Sequence, residues 1–126
     1  MLKRNYLDHA PHIAHGGGVE WDIIVGEGFE VKDTTLHPLA GAPKLLSLIA
    51  YAELEPGKAL DEHPATGEEF HVIVEGTGEI VVAGETEPVC AGDVVFCPPG
   101  AQHSLANTSS DTLRYFIVEV GKKPSR

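Results

Sequence analysis

The sequence is short of the features that mark membrane-spanning and secreted proteins. No apolar run approaches the ~20 residues that a bilayer-spanning helix needs. The opening stretch, MLKRNYLDHAPHIAHGGG, includes basic side chains but lacks the apolar core of a secretory signal. We therefore expect a cytoplasmic protein whose two cysteines, Cys90 and Cys97, stay reduced. The pair could face each other from adjoining strands, although packing is the favoured interpretation.

Basic residues are scarce as well. Nine Lys and Arg stand against nineteen Asp and Glu, which gives a formal net charge of −10. That balance argues against nucleic acid or an anionic membrane as a partner, because both would repel an acidic surface. The sequence also lacks a nucleophile elbow, a glycine-rich phosphate loop, a CxxC pair and any internal repeat. The signatures of serine hydrolases, phosphate-loop proteins and thiol redox proteins are therefore missing.

Glycine and proline, by contrast, are abundant. Fourteen Gly and nine Pro lie between short β-branched runs, a pattern typical of an all-β domain with many turns. A length of 126 residues fits one domain. Turns roughly every eight to twelve residues predict about nine or ten short strands, which fit a sandwich or a barrel closed on itself.

Composition divides the chain into an irregular N-terminal arm, a barrel domain and a short tail, which we place at 1–18, 19–121 and 122–126. The arm contains His9, His12 and His15 at a spacing of three, which would suit a metal site on a helix. Pro11 and the Gly16–Gly18 run argue against a sustained helix. A surface arm is therefore favoured over a metal-binding tract.

Two long segments complete the strand assignment. Lys44–Leu54, KLLSLIAYAEL, has the length of a helix, yet its alternate apolar residues fall on one strand face. The Glu55-Pro56-Gly57 turn that follows favours a strand. Leu113–Val120, LRYFIVEV, is the last long predicted strand. Arg114 within it is a candidate partner for a substrate carboxylate, although arginine usually lies on an outer face.

The most informative stretch is Gly92–Asn107, GDVVFCPPGAQHSLAN. The apolar run Val94–Phe96 near its start predicts a short strand. Pro98-Pro99-Gly100 ends that strand, because proline removes a hydrogen-bond donor and glycine accepts a positive φ. A second short strand then presents His103. The residues that define this strand–turn–strand spacing are Gly92, Pro98, Gly100, His103 and Asn107.

This stretch and Gly57–Gly76, GKALDEHPATGEEFHVIVEG, resemble the two sequence motifs of the cupin superfamily. The resemblance covers Gly57–Asn107, and the chain is also similar to small, single-domain oxalate-decarboxylase-like cupins. Every fixed position of the second motif is matched. In the first, Ala65 stands where the second histidine of a His-x-His pair belongs, and the matched positions are Gly57, His63, Glu69 and Gly76.

The resemblance implies a double-stranded β-helix, the jelly-roll barrel of cupins, with His63, Glu69 and His103 as metal ligands. Imidazole and carboxylate groups suit divalent first-row metals such as Fe, Mn, Ni, Cu or Zn. Two histidines and one carboxylate make the ligand set of facial-triad iron sites, which keep open positions for substrate. The absence of a histidine at position 65 leaves the alternative that the metal has been lost.

His71 lies two residues after Glu69 and is the candidate for a further ligand. Side chains alternate along a strand, so His71 faces the interior whenever Glu69 does, unless a bulge intervenes. A buried histidine without a partner costs roughly 1–3 kcal/mol. We therefore expect His71 to bind the metal, to hydrogen-bond a metal-bound water, or to pair with another polar group.

These patterns predict a metal-dependent cupin that acts on a small polar substrate, a carboxylate or an enolisable compound. Decarboxylation, dioxygenation and isomerisation all occur among cupins, and the fold does not choose between them. Non-catalytic small-molecule binding or sensing is the alternative, and a structural barrel without a ligand is a third. No individual catalytic residue follows from the pattern.

We also expect a homodimer. Jelly-roll barrels expose sheet edges, and exposed edges are usually covered or paired. The N-terminal arm and the predicted Val19–Val25 strand are available to lie across a partner's sheet.

Overall fold

The computed structural model describes residues 5–8, 12–14, 16, 18–26 and 46–121. A short 3-10 turn at Tyr6–Asp8 precedes ten strands within these ranges. No helix in this part of the chain has the length and apolar character needed to cross a membrane. The strands are β1 His12–Ala14, β2 Val19–Gly26, β3 Leu46–Leu54, β4 His63–Pro64, β5 Glu68–Glu75, β6 Thr77–Val82, β7 Glu85–Cys90, β8 Val94–Cys97, β9 Gln102–Ala106 and β10 Leu113–Val120.

The strands form two antiparallel sheets. The larger sheet has the order β1-β2-β3-β10-β5-β8, and the smaller one has the order β4-β9-β6-β7. Neighbours such as β10 and β5 are far apart in sequence, which is the crossing connectivity expected of a jelly roll. The predicted all-β, single-domain double-stranded β-helix is confirmed.

The core lies between the two sheets and follows the alternation of strand side chains. In β10 the odd-numbered residues from Leu113 to Glu119 are buried, while the even-numbered ones are half-buried on the outer face. Leu46–Leu54, whose sequence fitted a helix or a strand, is a strand that pairs with both β2 and β10. Its inward side chains pack with those of the other strands, the cluster being Leu48, Ala50, Ala52, Leu54, Leu60, Ile73, Ile80, Val89, Leu105, Leu113, Tyr115 and Ile117.

Part of the expected irregular arm is ordered structure. Strand β1 pairs with β2, with His12 opposite Trp21. The Tyr6 ring lies 4.8 Å from the Tyr51 ring and 5.0 Å from the Phe116 ring. Two effects that single-residue propensities do not include explain this order. The edge of β2 gains backbone hydrogen bonds, and the aromatic side chains on the outer face are shielded from water.

Little strand structure lies between the Glu55-Pro56-Gly57 turn and β5. The structure has only an isolated bridge between Ala59 and Ala106, followed by the two-residue strand β4. Backbone hydrogen bonds continue one residue past β4, because Ala65 donates its N–H to the Ala101 carbonyl and accepts from the Gly100 N–H. Of the histidines in the N-terminal third, His9, His15 and His37 lie outside the described residues.

Candidate metal centre

Three strands bring the four predicted ligands together. His63 on β4 lies directly opposite His103 on β9 in the smaller sheet. Glu69 and His71 enter from β5 in the larger sheet, where the alternation predicted from the sequence holds: Glu69 is 7% exposed and His71 is 3% exposed. The sharp turn before β9 depends on Gly100, whose φ of 82° lies in the left-handed region. The prediction that His71 faces the interior is therefore confirmed.

The distances place these four side chains in one cluster. Glu69 Oε1 lies 3.3 Å from His103 Nε2 and 3.6 Å from His71 Nε2. The second distance is too long for a hydrogen bond. The ring centroids of His63 and His103 are 4.3 Å apart, and those of His71 and His103 are 5.5 Å apart. Ala65 is buried beside them and contributes only a methyl group.

Backbone carbonyl groups orient the two motif histidines. His63 Nδ1 lies 2.7 Å from the carbonyl oxygen of Asp61, and His103 Nδ1 lies 3.2 Å from that of Ala101. A carbonyl oxygen only accepts, so each Nδ1 donates its hydrogen, and the lone pair of the neutral ring is on Nε2. This tautomer is the one that a metal ligand needs, and metal-binding histidines are commonly held in this way.

The electrostatics of the cluster require a positive charge beside Glu69. Burial alone would raise the pKa of Glu69, but the imidazoles of His103 and His71 outweigh it and hold the pKa of this carboxyl well below its ordinary value. Burial likewise favours the neutral form of His103, yet Glu69 outweighs it, so the pKa of His103 is raised. A neutral His103 would turn its Nε2 lone pair toward a carboxylate oxygen. A proton or a metal cation between the two atoms removes that repulsion.

His71 supplies the test of whether the cluster suits a metal. Both of its ring nitrogens are buried and have no hydrogen-bond partner within the described part of the chain. The buried hydroxyl of Tyr115 also has none among these residues. The two rings are stacked with centroids 5.9 Å apart. Burial, the largest effect, lowers the pKa of His71, so the ring is neutral and keeps a lone pair. None of the described residues donates a hydrogen to this lone pair, and a divalent metal would meet that requirement.

The family assignment rests on a match to the family model of the Cupin domain, Cupin_2, over residues 50–119. That segment is more than half of the chain and contains all four clustered side chains. This chain is a cupin.

This cupin is similar in sequence to two curated relatives and in structure to a solved protein. It is 36% identical over 72 residues to an oxalate-binding protein of Thermotoga maritima, covering 56% of this chain and 60% of that protein. It is 35% identical over 68 residues to a 5-nitrosalicylic acid 1,2-dioxygenase of Bradyrhizobium, covering 53% of this chain and 33% of that protein. The matches thus span less than two thirds of either relative.

The structural match is more extensive. A predicted oxalate decarboxylase from Thermotoga maritima superimposes with a TM-score of 0.78, covering 94% of this cupin and 98% of that chain at 24% identity. At this identity the likeness establishes the fold alone. The two proteins therefore share the jelly-roll barrel of the cupins.

The structure adds Cys97, which was expected to pack or to face Cys90. Cys90 is exposed and Cys97 is buried, so the two thiols do not face each other. Cys97 lies directly opposite Glu69 between β8 and β5. Burial, together with the charge of Glu69, raises the pKa of the Cys97 thiol to about 11. The signal in the sequence was alternation along β8, which turns residues 95 and 97 inward, but Cys97 also suited plain packing.

Glu119 is a second interior residue that sequence reasoning missed. It is 6% exposed and lies opposite Glu69 in the pairing of β10 with β5. Its carboxylate accepts a hydrogen bond from the Thr66 hydroxyl at 2.7 Å.

Arg114, which the sequence suggested as a partner for a substrate carboxylate, instead contacts Glu53 at 3.0 Å and Glu75 at 3.4 Å on the outer face. Alternation along β10 separates Arg114 from Glu119, since odd positions point inward and even positions outward.

Proposed function

We propose that this cupin binds a divalent first-row metal, Fe, Mn, Ni, Cu or Zn, through His63, Glu69, His103 and His71, and that it acts on a small polar substrate. The observation that carries the proposal is His71, whose two buried ring nitrogens have no hydrogen-bond partner in the described part of the chain. The neighbouring Glu69 carboxylate lies close to the imidazoles of both His71 and His103. When bound, such a metal supplies Lewis acidity with open positions for substrate oxygen atoms or dioxygen. Decarboxylation, dioxygenation and isomerisation of a carboxylate or enolisable compound are the reactions that this chemistry suits.

The protein's own groups would prepare the site for such a ligand. The Asp61 and Ala101 carbonyls hold the His63 and His103 rings, and so limit the reorganisation that metal binding requires. Burial raises the pKa of Tyr115 beyond its ordinary value, so its phenol remains a neutral donor. Ala65, at the position of the missing motif histidine, offers only a methyl group and therefore no ligand atom. A substrate with two oxygen donors suits that arrangement.

We expect the purified protein to contain first-row divalent metal, or to take it up to near-equimolar amounts after chelator treatment and titration. Elemental analysis of dialysed protein measures this directly. Failure of Fe, Mn, Ni, Cu and Zn alike to bind would remove the metal-dependent function.

The same titration should show a marked pH dependence. A metal has to displace the proton shared by His103 and Glu69, and the pKa of His103 is raised above its ordinary value of 6.5. Proton competition is therefore already felt above pH 6.5, and affinity should fall by about tenfold per pH unit for each proton displaced. An affinity that stays constant until well below the ordinary histidine range would contradict this protonation scheme.

Non-catalytic small-molecule binding is the second candidate function. The observation in its favour is the relative from Thermotoga maritima that is described as an oxalate-binding protein. Binding of oxalate to the metal-loaded protein, with the compound recovered unchanged after long incubation, would favour this candidate over an enzyme.

We propose a homodimer whose interface includes the outer side of β8. β8 ends the larger sheet in the described part of the chain, and Val94 and Phe96 on it are 63% and 45% exposed. The Phe70 ring lies 5.2 Å from that of Phe96 and extends the apolar surface. Exposed apolar surface on an open edge is typical of an interface. Light scattering should therefore report a dimer at micromolar concentration.

The matched variants for this prediction are Phe96→Asp and Glu79→Lys. The first introduces a charge into the apolar surface and should give a monomer, whereas the second changes the charge of exposed Glu79 on β6 and should leave the dimer intact. A wild-type monomer at that concentration contradicts the proposal.

A further inference from the structure

A thiol lies in the cluster at a place that the cupin motifs do not assign. Sγ of Cys97 and one ring nitrogen each of His71 and His103 all lie within 4.8 Å of one another, and the three residues are buried. His71 is the independent sign of a ligand, because it is 3% exposed and neither ring nitrogen has a hydrogen-bond partner among the described residues. Two lone-pair donors therefore converge with a thiol on one interior point.

A packing role accounts poorly for Cys97. A buried cysteine that only fills space behaves as a small apolar group among apolar neighbours. Cys97 instead lies opposite the carboxylate of Glu69 and within reach of two imidazoles. Zinc sites place sulfur at about 2.3 Å and imidazole nitrogen at about 2.0–2.1 Å from the metal. Ligand atoms already within 4.8 Å approach that arrangement by small side-chain rotations.

We propose that Sγ of Cys97 is a ligand of the metal, beside His71 and His103, and that it replaces the imidazole missing at Ala65. The inference rests on the proposed function, since it requires that a metal is bound. On binding, the S–H bond is lost, the proton leaves to solvent and a sulfur–metal bond forms, with no change of oxidation state. A thiolate among imidazoles selects Zn, Co, Ni or Cu over Mn and Mg, because soft sulfur prefers softer metals.

Cobalt(II) is the probe that separates the possibilities. The Cys90→Ser protein keeps Cys97 as its single thiol and leaves every buried residue unchanged, because Cys90 is exposed. We expect cobalt-loaded Cys90→Ser protein to show an intense sulfur-to-metal charge-transfer band in the near ultraviolet together with weaker visible bands. The Cys97→Ser protein should lose the charge-transfer band and retain the visible bands.

The outcomes distinguish this inference from the function on which it rests. Visible bands without charge transfer in Cys90→Ser protein show that metal is bound and that Cys97 is not a ligand, which overturns the inference alone. Neither set of bands, with no uptake of any tested metal, removes the metal-dependent function as well. The decisive spectrum comes from Cys90→Ser protein, so it stands even where Cys97→Ser protein fails to fold.

Metal preference provides a second readout. Replacing Cys97 with serine should weaken zinc binding at least ~10-fold relative to wild type, as expected on loss of a soft ligand, while manganese binding changes little. Equal losses for both metals would indicate general damage to the cluster and would contradict the inference.

Discussion

Replacing Glu69 with glutamine lowers the affinity for divalent metal by more than ~100-fold, since even removal of a residue that only orients a ligand costs 10–100-fold. The carboxylate is buried and lies within 3.6 Å of two imidazole Nε2 atoms. Glutamine has nearly the same shape but carries no charge, and its amide offers a metal a much weaker oxygen. Titration of chelator-treated protein at fixed pH measures the loss.

The chain supplies its own control in the adjacent carboxylate. Glu68 is exposed and faces away from the cluster, so Glu68→Gln should bind metal as wild type does. The two variants carry the same change in net charge, and only position separates them. Should Glu69→Gln retain wild-type affinity, the carboxylate would be a neighbour of the site rather than a ligand. The binding set would then be His63, His71, Cys97 and His103.

Replacing Asn107 with alanine lowers the free energy of unfolding by ~2–4 kcal/mol, because it removes several hydrogen bonds and leaves buried backbone groups without a partner. Asn107 is 2% exposed. Its amide donates to the carbonyls of Leu54 and Asp111, at 2.8 and 2.7 Å. Its oxygen accepts from the backbone N–H and the hydroxyl of Ser109, at 3.0 and 2.8 Å. Asn107 therefore ties the turn after β9 to the end of β3.

Thermal unfolding provides the measurement for this variant. For a domain of this size each kcal/mol corresponds to about 3 °C, so a decrease in Tm of about 6–12 °C is expected. Thr108→Ala, at the exposed neighbouring position, should leave Tm unchanged. Metal affinity of folded Asn107→Ala protein should match wild type, because the side-chain hydrogen bonds of Asn107 go to Leu54, Asp111 and Ser109 and not to a proposed ligand. A Tm within a degree or so of wild type would show that water replaces the amide at no cost.

Much of the fold and part of the site were predictable from local pattern. Strand alternation placed His71 on the face of Glu69, and burial of both confirms it. The same alternation is compatible with Arg114 on the outer face. The turn at Pro98-Pro99-Gly100 follows from residue types that exclude a continuous strand. In each case the cause lies within a few residues, so a single stretch of sequence contains it.

The partners across strands were not predictable in this way. Tyr115 and Glu119 belong to a strand more than forty residues from β5 in sequence, yet Tyr115 stacks on His71 and Glu119 lies opposite Glu69. Cys97 was visible as an apolar residue of β8, but only the β5–β8 register sets it against Glu69. The pairing of β1 with β2 likewise depends on the open edge that the rest of the sheet leaves.

The sequence by itself therefore determined the kind of fold, the turns and which side of each strand is buried, because those properties depend on residue type and on a period of two. It also marked His63, Glu69 and His103 through their motif positions. Only the tertiary structure decided which buried side chains meet. Strand order and register arise from the packing of the whole barrel, and a shift of one residue in register would turn Cys97 away from the cluster.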